Sequence, residues 1–309
     1  MLTTFLLDLL WSSTRSGNAV NPMAAGIPPY NMTETMLQHV GISVLLSDLV
    51  WREETKTNEL QEVFADFNDR VLVRYERGSC YVAFRGAWSG NPTDLLQSVP
   101  MPFAQDVCGS EGCCTVERGM YRAYYSRYVD RFEAAVQRCT ERCDDGPCEL
   151  VITGHSQGAS IAPVAAIALA EYNPTLLTFG QHMTQVGHCD VLENMDTYLR
   201  FNSMCPMGTR PSYDNLPVWG NLISGRHSGT HILLGAGGAA TLGYNNDMAL
   251  LPFREACHNI YDPYMTSIDK LEPGLMDGFS VGSLCSRDIE CQSKKCVQKR
   301  CSAGVHQGD

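Results

Sequence analysis

The chain has 309 residues, 44% of them hydrophobic, and a formal net charge of −11. That length suits one large α/β domain or two ordinary ones, with enough apolar residues for a full core. The acidic balance argues against nucleic acid and against an electrostatic hold on anionic membranes. No apolar run approaches the roughly 20 residues of a transmembrane helix.

Leu2, Phe5, Leu6, Leu9 and Leu10 fall on one helical face, but Asp8 interrupts the stretch and no basic residue precedes it. This is a poor secretory signal, so either a signal has been removed or the start is truncated. Residues 16–30, rich in Gly, Asn and Pro, read as a surface loop. Met36 to Trp51 reads as a helix with Leu37, Val40, Val44, Leu45 and Leu49 on its buried side. Val71–Tyr75 and Cys80–Phe84 read as paired strands across Glu76-Arg77-Gly78. Residues 88–115 look irregular, with Pro92, Pro100 and Pro102 and three cysteines. Met120 to Cys139 reads as one long amphipathic helix. Leu150–Thr153 is a strand, Gly158–Tyr172 a helix, and Leu176–Gly180 and Thr197–Phe201 are further strands. Strands alternating with helices predict an α/β fold with a mostly parallel central sheet flanked by helices.

The fourteen cysteines are an even number scattered along the chain, which predicts disulfides and an oxidising, secreted or lumenal compartment. No Cys-x-x-Cys pair joined by another such pair or by His-x-x-x-His is present, so no metal is expected. Cys139, Cys143 and Cys148 lie among charged residues and Gly146-Pro147, in a loop suited to bridging. Asn31-Met32-Thr33 is the usable glycosylation sequon, since Asn91 and Asn173 precede proline. Three parts are expected: a domain over 1–269, a linker over 270–284 and a small cysteine-rich segment over 285–302. The last holds Cys285, Cys291, Cys296 and Cys301, whose two disulfides have three possible pairings. Lys294, Lys295, Lys299 and Arg300 make it locally basic, so it is a candidate surface-binding segment.

The chemistry concentrates in Gly154-His155-Ser156-Gln157-Gly158. An apolar strand, then G-x-S-x-G, then a helix is the context that lifts a serine hydroxyl above a sheet as a nucleophile. The Gln157 amide then opens a helix, where a free N–H can face an oxyanion. The competing reading is a buried turn whose serine only caps the helix. A serine hydrolase also needs a base and an orienting carboxylate, and both are expected downstream of the serine. His227, His231 and His258 are candidate bases; Asp190, Asp196, Asp214, Asp247 and Asp262 are candidate acids. Spacing does not choose among them. His155 is expected to point away from the serine and to pack.

An ordered series of motifs carries a resemblance. Val82-Ala83-Phe84-Arg85-Gly86-Ala87 is similar to a strand ending F-R-G-T or F-R-G-S. Val116-Glu117-Arg118-Gly119-Met120-Tyr121 is similar to V-H-x-G-F, and Gly154–Gly158 to G-H-S-L-G. Thr178-Phe179-Gly180-Gln181 is similar to T-F-G-x-P, Tyr198–Asn202 to Y-R-V-x-N, and Asp214-Asn215-Leu216-Pro217 to D-x-V-P. In that order, over roughly residues 36–265, the chain resembles the class 3, fungal-lipase-like α/β-hydrolases. The resemblance implies Ser156 as nucleophile, Asp214 as orienting acid, and His258, at the family's terminal histidine position, as base. His227-Ser228-Gly229 fits the family's separate Y-x-H-x-G segment. Ala87 and Gln157 would supply the oxyanion-hole amides, and alanine adds no hydroxyl donor. Trp88, Leu95, Leu96, Val99 and Phe103 would form the apolar underside of a lid; the competing reading is an ordinary buried loop. Glu117 stands where the family has histidine and His182 where it has proline, and about nine residues intervene between Met204 and Asp214.

The expected function is ester hydrolysis of acylglycerols, in the manner of a triacylglycerol lipase, with no cofactor. The substrate partner would be a lipid or ester at a lipid–water interface. A phospholipase or feruloyl-type esterase is the alternative within this chemistry, and a weakly catalytic surface-binding protein the alternative outside it.

Overall fold

The computed structural model describes residues 30–52, 55, 57–65, 69–87, 104–126, 128–144, 146–207, 210–213, 225–234, 240–242, 258, 260–271, 296–297 and 300–301. Helix α1 (Glu34–Leu49) opens at Thr33, whose hydroxyl accepts from the Met36 N–H at 3.2 Å. Strands β1 (Gln61–Ala65), β2 (Arg70–Glu76) and β3 (Ser79–Phe84) form an antiparallel ribbon. The β2–β3 turn has positive φ at Arg77 and Gly78, the two-residue geometry that matches strand twist. The parallel centre follows with β6 (Glu149–His155), β7 (Thr175–Phe179), β9 (Tyr198–Met207) and β12 (Thr230–Leu234). The sheet runs β1-β2-β3-β6-β7-β9-β12-β13, where β13 is Ala240–Leu242, and β10 (Arg210–Tyr213) pairs with β9.

Alternation sends successive side chains to opposite faces, and each face has its own core. Leu72, Tyr81, Val151, Leu177, Phe179, Leu199, Phe201 and Ile232 pack beneath α1 and residues 260–268. Val73, Val82, Phe84, Ile152 and Leu176 pack on the other face against α3 (Val129–Thr140) and α4 (Gln157–Ala168). This three-layer arrangement is the predicted α/β fold. His39 fixes α1 to the sheet, one ring nitrogen 2.8 Å from the Tyr81 hydroxyl and the other 3.1 Å from Glu149 Oε2. Hydrogen bonding to His39 holds the Glu149 carboxyl below its ordinary pKa. Arg74, fully buried, donates twice to Glu76 and once to Gln61, so its charge is paired where water cannot reach.

Two expectations change. The segment predicted as one helix from Met120 to Cys139 is two, α2 (Arg118–Tyr124) and α3, separated at Tyr125–Tyr128. The break lets Tyr124 and Phe132 converge on the Phe84 ring, at 6.3 and 5.7 Å, and on each other at 6.0 Å. In a straight helix those two residues would stand about 12 Å apart along the axis. The irregular stretch ends earlier than expected: β4 (Ala104–Gly109) and β5 (Gly112–Glu117) form a hairpin. With β8 (Gln185–Val186) and β11 (Gly225–Arg226) it builds a second, antiparallel sheet ordered β11-β8-β5-β4.

Among the described residues, four disulfides join Cys80 to Cys139, Cys108 to Cys113, Cys114 to Cys189, and Cys143 to Cys148. The loop around Gly146-Pro147 is bridged as its composition suggested. Helix α5 (Thr266–Leu271) follows a π-helical turn at Ile260–Met265. Of the cysteine-rich segment only the hairpin of β14 (Cys296–Val297) and β15 (Arg300–Cys301) is described, with Cys296 opposite Cys301. Residues 272–284 of the expected linker over 270–284, and the N-terminal 1–29, lie outside the described residues.

Candidate active site

Ser156 links β6 to α4 at φ +59° and ψ −126°. A non-glycine residue there carries about 1–3 kcal/mol of backbone strain, held by its surroundings. Its N–H donates to the Phe179 carbonyl at 3.0 Å, tying the elbow to the end of β7. The flanking glycines permit close approach. A Cβ on Gly154 would lie 2.4 Å from the Gly158 carbonyl carbon, and one on Gly158 would lie 2.1 Å from the Phe84 carbonyl oxygen. Helix α4 therefore sits directly on the end of β3. Gly158→Ala is expected to cost about 3 kcal/mol, since the clash is with backbone on both sides. Urea denaturation checks this; a loss below about 0.5 kcal/mol, the range of ordinary surface changes, would contradict it.

The same contact sets the oxyanion side. A Cβ on Gly86 would stand 2.8 Å from the His155 carbonyl oxygen and 3.1 Å from Ser156 Cβ. Trp51, at the end of α1, closes over Gly86, 2.8 Å from that same Cβ position. Ala87 follows Gly86 beside the serine, and Gln157 is the first residue of α4. Ala87 and Gln157 are the residues expected to supply the two oxyanion-hole amides. The Gln157 side chain is buried, and its Nε2 has no hydrogen-bond partner among the described residues.

His258 comes to the elbow from 103 residues away in sequence. Its carbonyl oxygen lies 2.6 Å from His155 Nε2, and the two rings stack at 4.6 Å between centroids with 35° between planes. His155 is a register partner of Phe179 and faces α1 and the 260–268 turn, where Tyr264 meets it edge-on at 5.8 Å. It packs, as expected; its bond to the His258 backbone was not legible in sequence, because no local pattern reports a contact at that separation.

The other two histidines are elsewhere. His231 on β12 is the register partner of Arg200, and both face α4, the opposite side of the sheet from His155. His227 precedes Ser228, whose hydroxyl bonds Gln185 at 2.6 Å and whose carbonyl accepts from Arg200 Nε at 2.7 Å. Burial lowers the Arg200 pKa to about 10. Gly229 has φ +76°, and a Cβ there would lie 2.4 Å from the Tyr198 ring, so the glycine of this motif seats the turn on β9. The His-Ser-Gly motif is thereby tied to β9 of the central sheet and, through Gln185, to β8 of the second.

The departures from the family pattern have local causes. Glu117 caps α2, accepting from the Met120 N–H at 3.0 Å. The His182 N–H donates to Ser160 Oγ on α4 at 3.0 Å, a bond that proline lacks the hydrogen to make. The insertion after Met204 is the β9–β10 hairpin, in which Tyr213 pairs with Met204 and Ser212 with Cys205. The hairpin brings Tyr213 back beside Met204 on β9. Asp214 follows immediately, outside the described residues, as do the proposed lid residues Trp88, Leu95, Leu96, Val99 and Phe103. A cleft of about 350 Å³ beside Tyr198 and Thr230 lies at the N-terminal ends of β9 and β12, away from the elbow.

A strained serine between strand and helix, on a mostly parallel sheet with helices on both faces, defines an α/β-hydrolase. Residues 81–202 match the family model of Lipase (class 3), a match that supports a carboxylic ester hydrolase. Solved fungal lipases share the fold. The mono- and diacylglycerol lipase from Aspergillus oryzae is 18% identical, with a TM-score of 0.51 over 77% of this chain and 100% of that one. Lipase II from Rhizopus niveus is 17% identical, with a TM-score of 0.51 over 78% and 94%. Lip2 lipase from Yarrowia lipolytica is 12% identical, with a TM-score of 0.51 over 78% and 93%. At these identities the likeness is one of fold.

Proposed function

We propose that this protein is a secreted serine lipase that hydrolyses acylglycerols through a Ser156–His258–Asp214 triad. The observation that carries the reading is the approach of His258 to the strained elbow, where its ring stacks on the residue preceding Ser156. Ser156 Oγ attacks the ester carbonyl while His258 takes its proton. The tetrahedral oxyanion is held by the N–H groups of Ala87 and Gln157. His258 returns the proton to the leaving alcohol, and a water, activated by the same imidazole, releases the acyl-enzyme. Asp214 orients His258; in sequence it directly follows Tyr213, which pairs with Met204 on β9.

Two fold neighbours, a mono- and diacylglycerol lipase and a triacylglycerol lipase from Penicillium expansum, act on neutral acylglycerols by their names, which supports the substrate class. The net charge of −11 favours a neutral lipid over an anionic one. Four disulfides support an oxidising compartment and hence secretion. The test is hydrolysis of emulsified triacylglycerol, diacylglycerol and phospholipid beside a monomeric short-chain ester. Preferred cleavage of emulsified neutral acylglycerols is expected. Activity confined to phospholipid, or to soluble esters below their solubility limit, would overturn the substrate assignment.

A further inference from the structure

We infer that His155 is a positioning residue that locks the base segment onto the nucleophile elbow. The inference rests on the reading of His258 as the base. A carbonyl oxygen only accepts, so the 2.6 Å contact requires a proton on His155 Nε2, donated to the backbone of His258 itself. The bond fixes the peptide plane that follows the base and leaves the His258 side-chain torsions to aim its ring. That ring rests on the His155 ring at 4.6 Å.

His155 is itself held rigidly. Tyr264 meets it edge-on at 5.8 Å, Phe179 meets Tyr264 at 6.0 Å, and Phe201 stacks on Phe179 at 5.2 Å. This aromatic column rises from the core beneath α1 and ends at His258. His155 is only 5% exposed and is covalently joined to Ser156, so one side chain couples the position of the nucleophile to that of the base. Rate depends steeply on this coupling, because a misplacement of about 1 Å can cost about 100-fold.

Three variants separate the contributions: His155→Phe keeps a ring without the donor, His155→Gln keeps a donor near Nε2, and His155→Ala removes both. Each is titrated with an organophosphonate to count competent sites. Then kcat and KM are measured per titrated site on a monomeric p-nitrophenyl ester, with His258→Ala assayed alongside. His155→Phe is expected to lower kcat per site about 10- to 100-fold with KM nearly unchanged. His155→Gln should recover most of that loss. If His155→Phe keeps the wild-type kcat per titrated site while His258→Ala is inactive, the positioning role is wrong and the triad reading stands. The role is equally wrong if the Phe and Gln variants lose only titratable sites, since that is the mark of a folding defect. If His258→Ala retains kcat, the base assignment falls and the positioning role falls with it.

Discussion

Replacing Ser156 with alanine is expected to lower kcat/KM for ester hydrolysis by about 10⁴- to 10⁶-fold while leaving the fold intact. The loss is large because the serine supplies the bond-forming oxygen, so neither His258 nor the oxyanion donors have a covalent intermediate to act on. Some rate above water should persist, since the Ala87 and Gln157 amides still polarise a bound ester. The fold should be retained because alanine faces the same φ of +59° and the Ser156 N–H bond to Phe179 involves backbone alone. A p-nitrophenyl ester assay with a thermal melt measures both quantities. A loss of less than about tenfold with an unchanged melt would remove Ser156 from the mechanism.

Removing the Cys80–Cys139 bridge by paired alanine substitution is expected to cost about 4 kcal/mol. The crosslink spans 59 residues, and loop-closure entropy in the unfolded chain grows with that span. It joins the start of β3 to the end of α3, with both cysteines buried, so its loss also loosens the contact between sheet and helix. The Cys143–Cys148 bridge spans only 5 residues and should contribute about half as much. Against a total stability of about 5–15 kcal/mol, loss of the long crosslink would leave a marginal domain. Urea midpoints at constant slope provide the measurement; equal midpoints for the variant and the parent would contradict the argument.

Much of the fold was legible where one physical signal dominated. The β2–β3 hairpin, the nucleophile strand and α4 follow from apolar runs bounded by turn residues. Legibility failed where tertiary contacts decided. No proline or glycine marks the break between α2 and α3; it arises because Tyr124 and Phe132 both seek the Phe84 ring. The β4–β5 hairpin was obscured because β4 is mostly exposed, with Val107 the buried apolar residue on that strand.

The site divides in the same way. Ser156 and Gln157 come from one short motif, so local sequence proposed them, whereas Ala87 was proposed through the family resemblance. Choosing His258 needed the family resemblance, because spacing left three histidines open. The structure adds the face argument: His231 points toward α4, whereas His155 and the 260–268 turn share the other side. The insertion before Asp214 looked disruptive as a count of residues. As a hairpin, it pairs Tyr213 with Met204, so the chain just before Asp214 runs beside β9.

The central claim is that Ser156 is the nucleophile of an acyl-enzyme mechanism. Inactivating the enzyme with an organophosphonate ester and mapping the adduct by peptide mass spectrometry tests it most directly. One adduct per chain, on the peptide carrying Ser156 and accumulating in step with lost esterase activity, is the predicted result. Full inactivation with the adduct on another residue, or full labelling of Ser156 with activity retained, would contradict it.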